Sequence, residues 1–454
     1  MKILLTTHQF LPDHCSGTEV LTFETAKVLQ RLGHEVLVFT GYPARKDLDD
    51  NERFDSYWYE GVFVTRFHHG RVPMGGQSNI VEAEYNNQLF ASFFRTYLKE
   101  QMPDLVHFFH LHRLSASAIE VCHEYDIPMV MTPTDFWLVC PMSQLRLTDN
   151  SLCKGPDSSR INCLRHVVAL SQPEKTSRRL SKLPDCMLRS MIWGINKGMY
   201  ASHWFAPLVK ALYARPAFLE KQMNRLDRMI VPSLLMQRIL LEHGLNEDKV
   251  VSCPFGINFV PADKMPPSQV AVPLRIGFVG TLAEHKGAHV LVEAVRQIPR
   301  ERAIEVLLYG NLESYPSYAE RLKAAAGDDP RVKFCGTFPN SEIGRVFANL
   351  DVLVVPSVWH ENTPLIIYTA QAARCPVIAS DHEGISEIVH HGKNGLLFPA
   401  GDALVLARLI ESLYQDPCIL KKLAANSEPP KTIDAYVCDL EQIYQEVLSE
   451  RCNK

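Results

Sequence analysis

Short apolar runs alternate with amphipathic stretches along the whole chain, and their order predicts repeated strand–helix–strand units. Residues 3–6 read as a first strand, followed by a polar loop over 7–17. A helix then starts at Ser16, where Glu19 three residues on completes a capping box. Leu21, Val28, Leu29 and Leu32 give that helix one apolar face, and Gly33 ends it before a second strand at 34–39. Further strands are expected at 60–67, 104–112, 128–132, 227–233 and 250–257, with helices over 82–101 and 114–125 between them. Pro261, Pro266, Pro267 and Pro273 mark a linker. Beyond it strands at 274–280, 304–309, 332–335, 352–355 and 376–380 predict a second α/β domain, and Asp434 to Leu448 a last helix. The expected domains are 1–260 with an insert over about 140–225, then 261–430, and a terminal helix within 431–454.

Composition narrows the class. A chain of 454 residues with 22% charged residues and a net charge of −4 gives no case for nucleic acid as a partner. Twelve cysteines without a recognisable signal core point to a reducing, cytoplasmic setting. No run of about 18 apolar residues offers a membrane span. The loop after the first strand lacks the GxGxxG of dinucleotide binders, so NAD is not expected and no cofactor is.

Candidate chemistry gathers at strand ends. Val352–Val355 leads through a polar loop into Glu361-Asn362-Thr363-Pro364-Leu365. Asn or Thr before Pro predicts a helix start with the proline as first helical residue and a helix over 365–374. The free N–H groups there would suit a diphosphate, and Glu361 could orient a polyol. Gly280-Thr281 and Lys286 follow another strand, with Lys286 as a phosphate cation and Gly310 at the end of the next strand. In the first half, His110, His112, Thr134 and Asp135 end neighbouring strands, so they are expected to share one crevice with Gly17.

Two features stand apart. Cys140, Cys153, Cys163 and His166 are separated by twelve, nine and two residues. Three thiols and an imidazole could hold zinc, but the spacing matches no tight knuckle, so free buried thiols are the favoured reading and no metal is expected. Residues 175–225 carry ten Lys or Arg against two acids, a net +8, interleaved with Met187, Trp193, Trp204 and Phe205. That composition suits an anionic membrane surface.

The stretches GTEVLTFETAKVLQRLGHEVLVFTG, TPTDFW, DRMIVPS, FVGTLAEHKGAHVLVEAV, LDVLVVPSVWHENTPL and CPVIASDHEGISEIVHHGKNGLLF, in this order, resemble a retaining family 4 glycosyltransferase. The resemblance covers nearly the whole chain, most specifically residues 275–400. It implies the GT-B fold: two facing Rossmann-like α/β domains, with the C-terminal helix returning to the first. It further implies a nucleotide-diphospho-sugar as donor, bound mainly by the second domain. Lys286 would neutralise the leaving diphosphate, the Asn362–Leu365 backbone would receive it or the sugar, and Glu361 would hold sugar hydroxyls. Gly17 would approach the diphosphate from the first domain. Asp135 would serve the reaction with His110, His112, Thr134 and Trp137 around a glycan or lipid-linked acceptor.

Three positions depart from the family pattern. The second of its paired glutamates is Thr369, an arginine before the lysine is missing near Thr281, and the histidine of a THD-like motif is Thr134. The expected function is metal-independent retaining transfer in bacterial surface polysaccharide assembly, in the cytoplasm or peripheral on the inner membrane face. The rival is a catalytically silent GT-B homologue that binds sugar nucleotide or acts as a scaffold.

Overall fold

The computed structural model describes residues 1–44, 48–49, 52–69, 76–77, 79–147, 151–171, 180, 182–199, 205–261 and 272–452. The chain divides into two compact units, Met1–Pro254 with Ile433–Lys454, and Phe255–Thr432. The residues between Pro261 and Val272, with Pro266 and Pro267, lie outside the described residues, as do Lys175, Arg178, Arg179 and Trp204.

The first unit is built on β1 (Lys2–Thr7), β2 (Glu35–Pro43), β3 (Phe54–Tyr59), β4 (Val62–His69), β5 (Leu105–Phe108), β6 (Met129–Met131), β7 (Arg228–Val231) and β8 (Val250–Ser252). Their order across the sheet is β3-β4-β2-β1-β5-β6-β7-β8. All neighbours pair in parallel except β3, which runs antiparallel along β4. The core strands are continuous apolar runs because helices cover both faces, the usual state of a parallel sheet. Phe39, Phe67, Phe90, Phe94 and Phe108 fill one side of it.

The helix Gly17–Arg31 begins as its sequence requires: the Glu19 carboxylate accepts the Ser16 N–H at 2.7 Å. The single helix expected over 82–101 is instead two, Ile80–Tyr85 and Gln88–Gln101. Asn87 restarts the second by accepting the Phe90 N–H at 3.0 Å, a local side-chain bond that competes with helix continuation. The strand expected over 104–112 stops at Phe108, and the histidines beyond it lie in a loop.

The terminal helix Ile433–Cys452 belongs to this unit. Its buried Tyr444 hydroxyl lies 2.6 Å from Nδ1 of His107, whose Nε2 is 2.8 Å from the Thr132 hydroxyl. Burial holds His107 down at about 3. His34 meets Glu441 at 2.9 Å, and Arg451 pairs with Asp227 at 2.9 Å.

The second unit holds β9 (Leu274–Val279), β10 (Ile304–Tyr309), β11 (Val332–Gly336), β12 (Val352–Val355), β13 (Val377–Ser380) and β14 (Gly395–Phe398). They pair in parallel in the order β11-β10-β9-β12-β13-β14. The sequence reading places no strand at β14, nor at β3 in the first unit, and both are edge strands. Reversal of strand order at β9 and β12 opens a crevice at their carboxyl ends, where such sheets bind ligands.

Candidate active site

In the second unit, β9 runs out into Gly280 and Thr281, then a single turn at Glu284–Lys286. Gly287 closes that turn at φ +74, and a Cβ there would lie 1.8 Å from the Pro356 carbonyl oxygen. Only glycine allows the loops after β9 and β12 to touch backbone to backbone. The Val358 N–H donates to the His285 carbonyl at 2.9 Å across the same contact. Gly310, at the end of β10, approaches the Gly280 carbonyl from the other side.

This contact brings Lys286 to Glu361. Lys286 Nζ donates to Glu361 Oε1 at 2.7 Å, and the same oxygen accepts from Ser357 Oγ at 2.7 Å and Trp359 Nε1 at 2.8 Å. Ser357, Trp359 and Glu361 stand two residues apart in the loop after β12, and their side chains meet at one carboxylate oxygen. Lys286 also sits over the Trp359 ring, 4.7 Å from its centre. Burial pushes the Glu361 carboxyl upward, but the Lys286 charge and the donors outweigh it and hold the group below its usual range. Glu361 is 5% exposed. Gly384, after β13, completes the enclosure: a Cβ there would fall 1.7 Å from the Glu361 carbonyl oxygen. His382 beside it is buried, and burial pulls its pKa down against the pull of Glu361.

The helix beyond Glu361 differs from expectation. Pro364 is its N-cap at φ −73, ψ 107, and the helix spans Leu365–Ala372. Asn362 is buried, and the Thr363 hydroxyl bonds the Asn362 carbonyl at 2.8 Å rather than capping. An extended ψ at Pro364 makes that residue the N-cap and not the first helical residue, and the helix starts at Leu365 as expected but ends two residues early. Arg374, foreseen inside the helix, sits at φ +52 beyond its end. The Thr369 hydroxyl turns back to the Leu365 carbonyl at 3.1 Å.

In the first unit the histidines do converge. His110 Nδ1 accepts the His112 N–H at 3.0 Å, which leaves the ring proton on Nε2, 2.8 Å from Asp135 Oδ2. Asp135 Oδ1 in turn accepts the Trp137 N–H at 2.8 Å. Burial raises the Asp135 carboxyl, but His110 and the Trp137 N–H bring it below its ordinary value. His112 meets Glu84 at 3.0 Å, and the Thr134 hydroxyl reaches the Phe109 carbonyl at 3.4 Å. His8, from the end of β1, packs 4.3 Å from the His110 ring and 3.6 Å from Glu19, which ties the cluster to the start of the Gly17 helix. Burial first, then His110 and His112, hold His8 well below its ordinary value.

Residues 273–416 match the family model described as glycosyl transferases group 1, and residues 15–177 match the one described as glycosyltransferase family 4. The chain belongs to the family 4 glycosyltransferases of GT-B fold. AmsK of Erwinia amylovora, an amylovoran biosynthesis glycosyltransferase, is 31% identical over 201 residues, 42% of this chain and 48% of AmsK. The chain thus spans about half the length of the curated relatives it matches. Sucrose-phosphate synthase from Thermosynechococcus elongatus has the same fold, with a TM-score of 0.68 at 18% identity over 99% of both chains. So does Anabaena HepE, solved with UDP and glucose, at a TM-score of 0.62 and 17% identity over 98% of this chain and 99% of that one.

Beyond the two crevices, this family 4 glycosyltransferase carries its insert on the helices Ile161–Ser171, Asp185–Asn196 and Ala206–Met223. They share a core of their own around Leu164, Val167, Leu188, Ile192 and Val209. Lys182, Arg189 and Lys197 are exposed together with Met187, Trp193 and Met199. Arg215, counted with the basic face on charge alone, is instead buried. No helix among the described residues is long and apolar enough to cross a membrane.

Sequence reasoning missed Ser357, Trp359, His382 and Gly384 around Glu361, and His8, Glu19 and Glu84 around His110. The i, i+2, i+4 spacing of Ser357, Trp359 and Glu361 was a usable signal. The others meet only through strand order.

Proposed function

We propose that this chain moves a glycosyl unit from a nucleoside-diphosphate sugar to a hydroxyl of a glycan or lipid-linked acceptor, with retention and without a metal, in surface polysaccharide assembly. The observation that carries this reading is the Lys286–Glu361 pair, held in place by Ser357 and Trp359 at the carboxyl ends of β9 and β12. Lys286 has three N–H donors and a side chain 27% exposed. It can keep Glu361 and still offer charge to a departing diphosphate, the place where negative charge grows in the transition state. Glu361, kept anionic, accepts hydroxyl protons of the sugar. Retaining transfer then needs positioning and charge stabilisation more than a protein nucleophile.

On the acceptor side, Asp135 is anionic and 28% exposed, with the His110 N–H fixing its direction. It can accept from an acceptor hydroxyl, while His110, with Nδ1 held by the His112 N–H and Nε2 at 2.8 Å from Asp135, serves to position it. The polysaccharide role rests on the name of AmsK, and HepE with UDP and glucose fits the choice of donor class. Exposed Trp193 and Met187 beside Arg189 and Lys197 fit peripheral docking at the inner membrane face.

The rival reading, a silent sugar-nucleotide-binding homologue, draws on Thr369, whose hydroxyl is spent on Leu365 and leaves no carboxylate for a ribose. A panel of UDP-, GDP- and dTDP-sugars screened by thermal stabilisation, followed by donor turnover, separates the two. A true donor at about 100 times its Kd adds about 2.7 kcal/mol of stability. Stabilisation with turnover supports transfer, stabilisation without it supports the rival, and no stabilisation by any donor defeats both.

A further inference from the structure

We propose that Cys140, Cys153, Cys163 and His166 bind a structural zinc ion, with Arg215 as its buried counter-charge. The four donors, far apart in sequence, line one cavity together with Arg146, Leu145 and Asn162. The cavity has room for about one water-sized guest. Local structure explains the convergence. A bridge between Arg146 and Leu152, and the Cys153 N–H donated to the Leu145 carbonyl at 2.8 Å, fold Cys153 back toward Cys140. Cys163 and His166 lie one turn apart on the helix Ile161–Ser171, so both point to one side.

Three independent features suit a cation held by thiolates. Cys153 Sγ accepts the Gly155 N–H at 3.4 Å, and the Asn162 amide lies 3.5 Å from it, N–H donors of the kind that steady a metal-bound sulfur. His166 is 7% exposed, lines the cavity, and makes no hydrogen bond among the described residues. Arg215, 2% exposed, bonds the Val139 carbonyl at 3.2 Å and the Trp137 carbonyl, yet no carboxylate among the described residues reaches ion-pair distance of it. A buried guanidinium calls for an anion.

Zinc supplies the balance. Binding releases one proton from each of three thiols, and neutral His166 gives a ring-nitrogen lone pair. Two positive charges on the metal against three thiolates leave a site of net −1, beside which buried Arg215 and the cavity-lining Arg146 place positive charge. Among the described residues no three such donors already stand at assembled metal spacing. Binding therefore draws them inward onto the small cavity, and pins the loop around Cys153 to the insert helices.

Metal analysis of the untagged full chain, grown with added zinc, tests this. One tightly held zinc per chain is expected, lost in Cys163→Ser and Cys153→Ser and retained in Cys186→Ser, whose thiol is exposed elsewhere. Should the variants fail to fold, the wild-type chain decides: an organomercurial that modifies thiols should release stoichiometric zinc to a chromogenic chelator. Cobalt in its place should show a thiolate charge-transfer band. Zinc far below stoichiometric in the wild type, or unchanged in both serine variants, would overturn the proposal.

Discussion

Lys286 Nζ and Glu361 Oε1, 75 positions apart, form an ion pair of 2.7 Å in which the carboxylate is almost wholly buried and the lysine about a quarter exposed. The two partners are therefore not equivalent. Removing the lysine leaves a buried carboxylate, whereas removing the carboxylate leaves a cation that can turn to water.

Lys286→Ala and Glu361→Ala should each lower kcat/KM at least about 100-fold, about 2.7 kcal/mol of transition-state stabilisation. Lys286→Ala should also cost stability, about 3 kcal/mol at most given its access to solvent. A Lys286→Met, Glu361→Gln double variant should recover most of that stability and remain inactive. Urea unfolding beside steady-state kinetics reads both. Near-normal transfer by Lys286→Ala removes it from the donor site.

Thr369→Glu should tighten nucleotide binding about 10- to 100-fold, because an ionic hydrogen bond of roughly 1.5–3 kcal/mol replaces a hydroxyl engaged with its own helix. Calorimetric titration with the nucleoside diphosphate measures it. An unchanged Kd means the ribose is held elsewhere.

Stability should fall as pH drops from about 6.5 toward 3. His107 is neutral in the folded chain because burial lowers it to about 3, and His69 is lowered to about 4 for the same first reason. The unfolded chain takes up protons near the ordinary value of about 6.5, so it binds more protons across this window and stability rises with pH there. Each such histidine adds at most about 1.4 kcal/mol per pH unit. His107→Gln should flatten the slope of unfolding free energy against pH by about one proton. A slope equal to that of the parent chain would mean His107 is not buried neutral.

Flotation with vesicles tests the docking surface. Binding to anionic and not neutral vesicles is expected, weakened by salt and by Gln at Lys182, Arg189 and Lys197, and separately by Trp193→Ala. A chain that stays at the bottom with both lipids makes a soluble acceptor the better assignment.

Much of the architecture was legible because apolar runs and amphipathic stretches report burial locally. The strand at 304–309, the capping box at Ser16 and the loop that carries Lys286 all follow from neighbours within a few residues. Errors fell where a local competitor acted, as at Asn87, or at a sheet edge, as at β3 and β14. At Pro364 the proline ring set φ without deciding ψ, and the residue became the N-cap.

The sequence by itself determined the βαβ order, the carboxyl-end loops and the residue types at each, since period and turn chemistry are short-range. Only the tertiary structure decided which of these meet. Glu361 finds Lys286 because β12 lies beside β9 in the sheet, and Gly384 closes on it because β13 follows. Arg215 counts as one more surface charge in a composition, yet the fold buries it beside the Trp137 ring and against the Trp137 and Val139 carbonyls. Charge is a property of the residue, whereas the cost of burying it depends on partners from distant parts of the chain.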